Sequence, residues 1–353
     1  MQVTPAKKRK RMSYPPYTIT STTLKLVAAI SEQLATLFVG GSRLMENLSP
    51  QLRRENRIRT IHASLAIENN TLSLEQVTAI IDGKSVIGPP RDIQEVRGAV
   101  AAYEKLDTWT QHSMKDLRVA HGLLMHNLMD SPGKLRTGGV GVFQGDKVIH
   151  MAPPANLVHG HLEKLFNWLK TTDEHPLITS CVFHYEFEFI HPFDDGNGRM
   201  GRLWQTLILS KWKPVLAYMP VETIVRNRQK EYYTSLGQAD AQGEATKFIE
   251  FMLQALHDTL LDVIATTQVT EQVTTQVSPQ VKRLLVALKG GDLSVGELVP
   301  SLGLKSVKNF RATSLNPALD AGLVERTQPD SPHSPTQRYK LTAKGMRRLT
   351  IEA

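Results

Sequence analysis

The sequence predicts a mainly α-helical protein that carries one central β-hairpin and ends in a small module of helices and short strands. Three observations lead to this fold class. Apolar residues recur at helical spacing from about residue 20 to 265, a glycine-rich stretch at 136–150 breaks that spacing, and helical patterns beyond residue 279 precede two strand candidates. Because 353 residues exceed what one hydrophobic core usually organises, we expect more than one domain.

The helical part begins with an amphipathic helix over 20–39, whose apolar face holds Leu24, Val27, Ile30, Leu34 and Leu37. Further helical patterns cover 50–68, 73–82, 92–109, 115–129, 156–171, 176–190, 198–211, 221–236 and 244–265. Two pairs fit the capping-box pattern of a helix start, Ser73 with Gln76 and Asp92 with Glu95. These patterns make the central region mainly α.

One stretch, from Arg136 to His150, breaks the helical rhythm. Its glycines lead into alternating apolar residues around the turn sequence Gln144-Gly145-Asp146, and it ends before a pair of prolines. Alternation on both sides of a glycine-containing turn predicts a β-hairpin.

The C-terminal part is set apart by the segment Val269 to Val281, which repeats Val-Thr-x-Gln-Val and predicts an interdomain linker at 266–278. Beyond it, the helical patterns are 279–289, 294–302 and 306–321, and the strand candidates are 323–327 and 337–341. Three helices followed by a hairpin predict a winged helix over 279–353.

Charge is distributed unevenly within the formal total of +8. Residues 1–18 carry five basic and no acidic residues, residues 279–353 carry 12 basic against 6 acidic, and residues 19–278 carry a net charge of −3. The centre is therefore not a polyanion-binding surface. The basic run Lys7 to Arg11 predicts a disordered basic tail over 1–18, with a nucleic-acid or targeting patch as the alternative.

No segment has the uninterrupted apolar length of a membrane helix, and no apolar region follows the basic N-terminus as it would in a signal peptide. We therefore expect a cytoplasmic protein without a membrane partner. Cys181 is the only cysteine, which excludes an intrachain disulfide and a multi-cysteine zinc site.

The densest chemical signal is the run His191-Pro192-Phe193-Asp194-Asp195-Gly196-Asn197-Gly198-Arg199-Met200-Gly201-Arg202. Pro192 disfavours helix in the residue before it, so His191 should leave an apolar helix and enter a loop. Gly196 and Gly198 allow backbone amides to approach an anion closely at the start of the next helix.

The charged residues of this run complete the pattern. Arg199 and Arg202 are three apart on the second helix and leave one face, where both could reach an oligophosphate. Asp195 is a natural ligand for a magnesium ion that bridges phosphate oxygens. A base, a carboxylate, an amide cradle and paired arginines are what in-line attack at a phosphoryl centre needs, and His191 is the only candidate base in the loop.

This run resembles the Fic motif without departure, and the similarity extends over about residues 20–265. The resemblance implies a Fic (Fido) helical catalytic domain that transfers AMP from ATP, with Mg²⁺, to a Ser, Thr or Tyr hydroxyl of a target protein. It implies that His191 is the base and that Asp195 binds magnesium. It further implies that the phosphates are held by Gly196, Asn197, Gly198, Arg199 and Arg202, that Phe193 anchors the loop, and that the hairpin is a flap that aligns the target by strand addition.

A second element lies upstream at Ser64-Leu65-Ala66-Ile67-Glu68-Asn69. On a helix Ser64 and Glu68 share a face, so a hydroxyl-carboxylate contact could present Glu68 to a cation. The segment is similar to the inhibitory pattern of one Fic class, which implies that Glu68 pairs with Arg202 and restrains transfer. An ordinary surface glutamate is the alternative. Because some similar proteins remove AMP with this glutamate, the direction of the reaction stays open.

With the resemblance, the expected domains are a basic tail at 1–18, an N-terminal helical region with the inhibitory helix at 19–110, a Fic catalytic domain at 111–265, a linker at 266–278 and a winged helix at 279–353. The winged helix could bind DNA phosphates, through Lys305, Lys308, Arg311, Arg326 and Arg338. It could equally bind protein, and Pro317 should kink its recognition helix. The resemblance also raises a homodimer formed through the catalytic domain.

Two rival functions come from other classes. The first is a DNA-binding regulator with a vestigial catalytic domain. The motif argues against it, because every polar role in the motif is filled. The second is a metal-dependent phosphohydrolase built from His184, His191, Asp194 and Asp195. We expect His184 to pack within its helix, and we interpret the remaining histidines, including His121, His126, His159 and His161, as surface or packing residues.

Overall fold

The computed structural model describes residues 15–36, 50–144, 147–274, 278–328, 334, 336–342, 345–346 and 349. The basic run at Lys7 to Arg11 lies outside these residues. The chain divides into two compact units, the first ending at Val263 and the second beginning at Ile264. None of the described helices combines the length and the apolar character that crossing a membrane requires.

The first unit is helical apart from one hairpin, which confirms the mainly α-helical prediction. Its helices are α1 (Ser21–Thr36), α2 (Pro50–Ile67), α3 (Leu74–Ile81), α4 (Pro90–Glu104), α5 (Met114–Leu124), α6 (Ala155–Thr171), α7 (Pro176–Ile190), α8 (Asn197–Trp212), α9 (Val221–Asn227), α10 (Gln229–Gln242) and α11 (Thr246–Thr274), of which α11 continues past the end of the unit at Val263. Short 3₁₀ turns lie at Leu106–Thr108 and Pro214–Tyr218.

Two local predictions at helix starts have different outcomes. The capping box of Ser73 with Gln76 is present. The one expected for Asp92 with Glu95 is wrong, because α4 begins earlier, at Pro90, whose fixed φ and missing N–H suit the first helical position. Asp92 instead accepts hydrogen bonds from the N–H and hydroxyl of Thr71 at 2.8 and 2.6 Å.

Two helix boundaries also differ from the sequence patterns. The single helix predicted at 221–236 is two helices separated at Arg228. The last helix of the unit was expected to end at 265, but α11 continues to Thr274, so the predicted linker at 266–278 is helical over its first nine residues. No glycine or proline interrupts 246–274, so the sequence contains no residue that would end the helix earlier.

The centre of this unit is the pair α7 and α8, where nearly every side chain is buried. Phe183 and Phe187 on α7 pack in one hydrophobic cluster with Trp204 of α8. Gly201 allows the close approach of the two helices, because a Cβ at this position would lie 2.7 Å from both His184 Cδ2 and a carboxylate oxygen of Glu188. This rigid pair carries the residues on both sides of the predicted catalytic loop.

The predicted hairpin is present as the antiparallel strands β1 (Gly141–Gln144) and β2 (Lys147–Met151). Gly141 pairs with Met151 and Gln144 pairs with Lys147, with a register shift between Val142 and Phe143. A bulge of this kind increases the local twist of a hairpin.

The second unit contains α12 (Pro279–Ala287), β3 (Leu293–Ser294), α13 (Val295–Ser301), α14 (Val307–Phe310), α15 (Asn316–Asp320), β4 (Val324–Arg326) and β5 (Arg338–Leu341). Its strands form an antiparallel sheet in the order β3-β5-β4, in which β3 was not predicted. The elements follow the order expected of a winged helix. A π-helical turn at Arg311–Leu315 divides the helix predicted at 306–321. It ends two residues before Pro317, which has no backbone N–H to donate to the preceding turn.

Candidate active site

His191 ends α7 in a left-handed backbone conformation, with φ 48° and ψ 62°. This conformation is costly for a residue that carries a Cβ, so the surrounding structure must hold it. Pro192 follows directly and prevents the helix from continuing. The predicted exit of His191 from its helix is confirmed.

Arg136 supplies much of the restraint on this strained loop. Its side chain donates to the carbonyl of His191 at 2.7 Å, to that of Gly138 at 2.8 Å, to that of Pro153 at 2.6 Å and to that of Ile190 at 3.3 Å. The residue is buried, and burial lowers the pKa of its guanidinium. Arg136 therefore ties both ends of the hairpin to the loop. The sequence analysis did not identify this role, because the acceptors in the loop, the carbonyls of Ile190 and His191, lie 54 and 55 positions along the chain.

A second restraint lies inside the loop. The side-chain amide of Asn197 accepts from the N–H of Phe193 and donates to its carbonyl, each at 2.9 Å. Asn197 was expected to help to hold phosphates, but its side chain is occupied in closing the loop, which leaves its backbone N–H for that role. Phe193 is fully buried, and its role as the anchor of the loop stays a prediction.

His121 supports the loop from α5. Its ring stacks on Phe193 with centroids 3.7 Å apart, its Nε2 lies 2.9 Å from the carbonyl of Asp195, and its Nδ1 accepts from the N–H of Gly133 at 2.8 Å. An Nδ1 that accepts leaves the proton on Nε2, so the ring is neutral. Burial lowers its pKa to about 4, in accord with this. The interpretation of His121 as a surface or packing residue missed these hydrogen bonds.

The start of α8 has the geometry expected of an anion cradle, and phosphate binding there stays a prediction. Gly196 has φ 80°, a conformation that favours glycine, and a Cβ there would lie 2.6 Å from Met125 Sδ. The amides of Asn197, Gly198 and Arg199 occupy the first turn, where helix geometry provides no carbonyl partner within the helix. These N–H groups and the positive end of the helix dipole favour a phosphate.

Arg202 points from α8 towards the end of α2. Its Nε donates to Ser64 Oγ at 3.0 Å, and its Nη2 donates to the Ser64 carbonyl at 2.9 Å and to Glu68 Oε1 at 2.8 Å. Burial works to lower the pKa of Arg202, but the carboxylate of Glu68 raises it above its usual range. The expected contact between Ser64 and Glu68 is wrong: the Ser64 hydroxyl binds the arginine directly.

Glu68 follows the last residue of α2, Ile67, and lies against the cradle. A Cβ on Gly198 would be 2.4 Å from Glu68 Oε1, so this carboxylate sits directly over the first turn of α8. The next residue, Asn69, has φ 67°. Asparagine tolerates this left-handed conformation and glycine adopts it freely. This explains physically why the pattern from Ser64 to Asn69 ends in asparagine or glycine.

The other arginine of the motif turns to different partners. Arg199 donates to Glu95 Oε1 and to Asp195 Oδ1, both at 3.1 Å. Asp195 Oδ1 also accepts from the N–H of Gly196 at 2.6 Å, and Oδ2 accepts from Arg91 at 3.1 Å. The two motif arginines thus leave one helix face but bind separate acidic groups. Glu95 and Arg91, from α4, were not anticipated.

Glu68, His191 and Arg202 line one pocket with about 610 Å³ of empty space, its open mouth included. The other lining residues are Tyr185, Glu188, Phe189, Gly198, Tyr232, Tyr233, Leu236 and Asp240. The lining therefore combines a cation and a helix start with aromatic rings. This combination suits a ligand that joins phosphates to a flat ring system.

The geometry does not favour the rival metal site. His184 is fully buried, with Nδ1 2.7 Å from Gln205 Oε1 and Nε2 3.2 Å from the Tyr232 hydroxyl. Within the described residues no group of three or more His, Cys, Asp or Glu side chains could hold a metal ion. His126 and His159 are exposed and His161 is half-buried.

Comparison with known proteins agrees with this geometry. The model of the Fic/DOC family matches residues 111–209, and that of the "Filamentation induced by cAMP protein Fic-like, C-terminal domain" matches residues 279–342. A solved Fic family protein from Desulfovibrio desulfuricans G20 is 56% identical, with 94% of this chain and 99% of that chain covered and a TM-score of 0.71. The chain belongs to the Fic family.

Curated relatives of this Fic-family chain carry the name protein adenylyltransferase. The one from Caenorhabditis briggsae, fic-1, is 33% identical over 217 residues, which are 57% of this chain and 40% of that protein. The one from Nematostella vectensis is 27% identical over 224 residues, which are 61% of this chain and 50% of that protein. The chain thus spans at most half the length of these two relatives.

The Fic/DOC match contains the run from His191 to Arg202 but not Ser64 or Glu68. In this Fic-family chain the start of α8 and Arg202 therefore lie within the matched segment, whereas Glu68, which follows α2, lies outside it.

Proposed function

We propose that this Fic-family chain is a protein adenylyltransferase, which transfers AMP from ATP to a Ser, Thr or Tyr hydroxyl of a target protein. The observation that carries the proposal is one pocket whose lining combines His191, Gly198 in the first turn of α8 and Arg202 with several aromatic side chains. The names of the curated relatives support the same activity.

In this mechanism His191 accepts the proton of the target hydroxyl as its oxygen attacks the α-phosphorus of ATP. The new bond joins that oxygen to phosphorus, the bond from the α-phosphorus to the bridging oxygen breaks, and pyrophosphate leaves. The amides at Gly198 and its neighbours stabilise the charge that develops on the phosphate oxygens. The hairpin would align the target by strand addition. Arg136 connects the ends of the hairpin to the loop that holds His191.

Asp195 fits the expected magnesium ligand. Mg²⁺ is usually bound by one or two carboxylates together with substrate phosphates, and Asp195 presents a half-exposed carboxylate beside the cradle. When bound, the ion would neutralise phosphate charge. Both oxygens of Asp195 now accept from arginines, so Arg91 and Arg199 hold the carboxylate in place.

We further propose that Glu68 restrains this activity. Its carboxylate lies over Gly198 and binds Arg202, so it occupies the space next to the cradle and withdraws a cation from the phosphates. ATP would then bind in an unproductive pose, since a phosphate that approaches Arg202 is repelled by the negative carboxylate of Glu68.

A labelling experiment tests the activity. The purified chain and its Glu68→Gly variant are incubated with labelled ATP, GTP, UTP or CTP and magnesium, and protein-bound label is read by intact mass and peptide mapping. We expect label from ATP, with more on the variant, and labelling slowed by about 10² to 10⁴ after His191→Ala. His126→Ala, on an exposed histidine, is the matched control and should label normally. Absence of label from all four nucleotides would contradict the proposal. A second incubation of labelled protein without nucleotide tests removal of AMP by Glu68.

A second candidate function is DNA binding by the C-terminal unit. Lys305, Lys308 and Arg311 are exposed around the start of α14 and form no ion pair among the residues that the structure describes. By contrast, Arg338, also expected to face DNA, pairs with Glu297 at 2.9 Å, and Lys340 pairs with Glu325 at 3.2 Å. The start of the recognition helix is therefore the better candidate for phosphate contacts.

Salt-dependent binding distinguishes DNA from a protein partner. Binding of the full chain to a labelled duplex is titrated at several salt concentrations, and affinity should fall steeply with salt. Lys308→Ala should reduce the slope of the logarithmic plot by about one, whereas Lys340→Ala should leave it nearly unchanged. No binding at low salt would assign this unit to protein interaction.

A further inference from the structure

We propose that Glu188 is a positioning residue for His191, which holds the imidazole with its proton on Nδ1 and so directs Nε2 to the substrate hydroxyl. The inference deepens the proposed function and rests on His191 as the base. Glu188 lies outside the motif run, three residues before His191 on the last turn of α7.

The first argument is the surroundings of Nδ1. The backbone carbonyl oxygen of Glu188 lies 3.4 Å from His191 Nδ1, and its carboxylate oxygen Oε2 lies 3.9 Å from the same atom. With the carboxyl ionised, both groups are hydrogen-bond acceptors and neither is a donor. A ring nitrogen that faces two acceptors keeps its proton, so the lone pair of the neutral ring is on Nε2.

The second argument is that the carboxylate is held in place. The Glu188 side chain is only 12% exposed, and Gly201 of α8 approaches it so closely that a Cβ would contact Oε1. Oε1 is buried without a hydrogen-bond partner in the described structure and lies 3.7 Å from His184 Nε2. His184 is itself fixed by Gln205 and Tyr232. The packing of α7 on α8 therefore sets the position of Glu188.

The third argument is charge. Burial works to raise the pKa of Glu188, but His184, His191 and Arg202 lower it below its usual value, so the group is ionised. A buried charge is energetically costly unless a charge of opposite sign lies beside it, and protonated His191 would supply that charge. When His191 takes the proton of the hydroxyl it becomes a cation, and the carboxylate beside Nδ1 stabilises that cation. The same logic applies to any histidine base that is oriented by a carboxylate.

The test measures the tautomer directly. ¹⁵N NMR of ring-labelled histidine, with His191 assigned by its loss in His191→Ala, should show Nδ1 protonated and Nε2 unprotonated in the nucleotide-free chain at neutral pH. In Glu188→Ala the other tautomer should gain population. Because this spectrum needs no catalysis, it separates failure of the inference from failure of the proposed function.

Kinetics in the Glu68→Gly background give the second readout. Glu188→Gln keeps the shape but removes the charge, and should lower kcat at least about tenfold, with KM for ATP within about twofold, since the full loss of a base costs 10² to 10⁴. Glu188→Asp should restore part of kcat, which a merely structural role does not predict. The matched control is Glu163→Gln, because Glu163 also lies near a histidine Nδ1, that of His159 at 3.5 Å, but on an exposed helix face.

Two results would overturn the inference: an unchanged His191 tautomer in Glu188→Ala, or an unchanged kcat in Glu188→Gln. If Glu188→Ala fails to fold, as judged by circular dichroism, the comparison of Glu188→Gln with Glu188→Asp decides the question, because glutamine keeps the side-chain length that packs against Gly201 and aspartate keeps the charge.

Discussion

Arg202 and Glu68 form an ion pair in which Nη2 lies 2.8 Å from Oε1, although the residues are 134 positions apart. The two partners are held differently. Arg202 is buried and bound twice more by Ser64, whereas 30% of the Glu68 side chain is exposed and the residue follows the end of its helix. The carboxylate is therefore the partner that can move, and the arginine is fixed in position to receive a phosphate.

The first prediction follows from this asymmetry. Glu68→Gly removes the carboxylate from the cradle and releases Arg202, so transfer of AMP should rise by at least about tenfold, which corresponds to 1.4 kcal/mol. The measurement is the initial rate of labelling with ATP. Glu55→Gly, at a half-buried position of α2, is the control and should not activate.

The gain from Glu68→Gly should depend on its partner. In an Arg202→Ala background the same substitution should change the rate little, because the released cation is absent and the two effects are coupled. A full increase in that background would show that Glu68 acts on something other than Arg202. A decrease after Glu68→Gly alone would make Glu68 a catalytic group.

A second prediction separates chemistry from binding at His191. His191→Ala should reduce transfer by 10² to 10⁴, since the imidazole acts on the hydroxyl. The Kd for ATP, measured by calorimetry in the Glu68→Gly background, should change by less than about threefold, because the cradle lies in α8. A parallel loss of ATP binding would mean that the histidine holds the nucleotide or the loop.

A third prediction concerns Arg136, which contacts four carbonyls of the loop and hairpin. A lysine has three donors on one nitrogen and cannot span this fork, so Arg136→Lys should lower the free energy of unfolding by about 2 to 4 kcal/mol and also lower kcat. Urea unfolding and labelling rates test the two effects. Arg118→Lys is a milder control, since Arg118 donates to a single carbonyl, that of Gly133. Equal losses of unfolding free energy and kcat in both variants would show that the four contacts of Arg136 matter no more than the single contact of Arg118.

The sequence predicted those parts of the site whose information is local. The loop from His191 to Arg202 and the pairing of Glu68 with Arg202 followed from short patterns and a family resemblance. Arg136, His121 and Glu95 were missed, because their partners lie 55 to 104 positions away and are chosen by helix packing. The continuation of α11 through the expected linker was missed because a repeat rich in threonine and glutamine looks like a linker yet contains nothing that stops a helix.

A buried carboxyl group, that of Glu222 in α9, lines a pocket together with Arg202. It accepts from the Tyr103 hydroxyl at 3.2 Å through Oε1, while Oε2 is buried without a hydrogen-bond partner in the described structure. Burial raises its pKa from 4.5 to about 7, although the charges of Arg202 and Arg57 work in the opposite direction. Glu222 thus keeps its proton in the folded chain at pH values where the unfolded chain releases it.

The fourth prediction is the resulting pH dependence of stability. Because the folded state binds one proton more than the unfolded state between pH 4.5 and about 7, the contribution of Glu222 is fully present below pH 4.5 and is lost as the pH rises towards 7. At 1.36 kcal/mol per pKa unit the loss approaches about 3 kcal/mol.

Glu222→Gln keeps a neutral side chain that can still accept from Tyr103, so its free energy of unfolding relative to the parent should rise by that amount between pH 4.5 and 8. Urea titrations followed by tryptophan fluorescence report on the first unit, since all four tryptophans precede Val263. Glu104→Gln, at an exposed position, should show no such change, and a difference between Glu222→Gln and the parent that is constant with pH would mean that Glu222 is ionised in the folded chain.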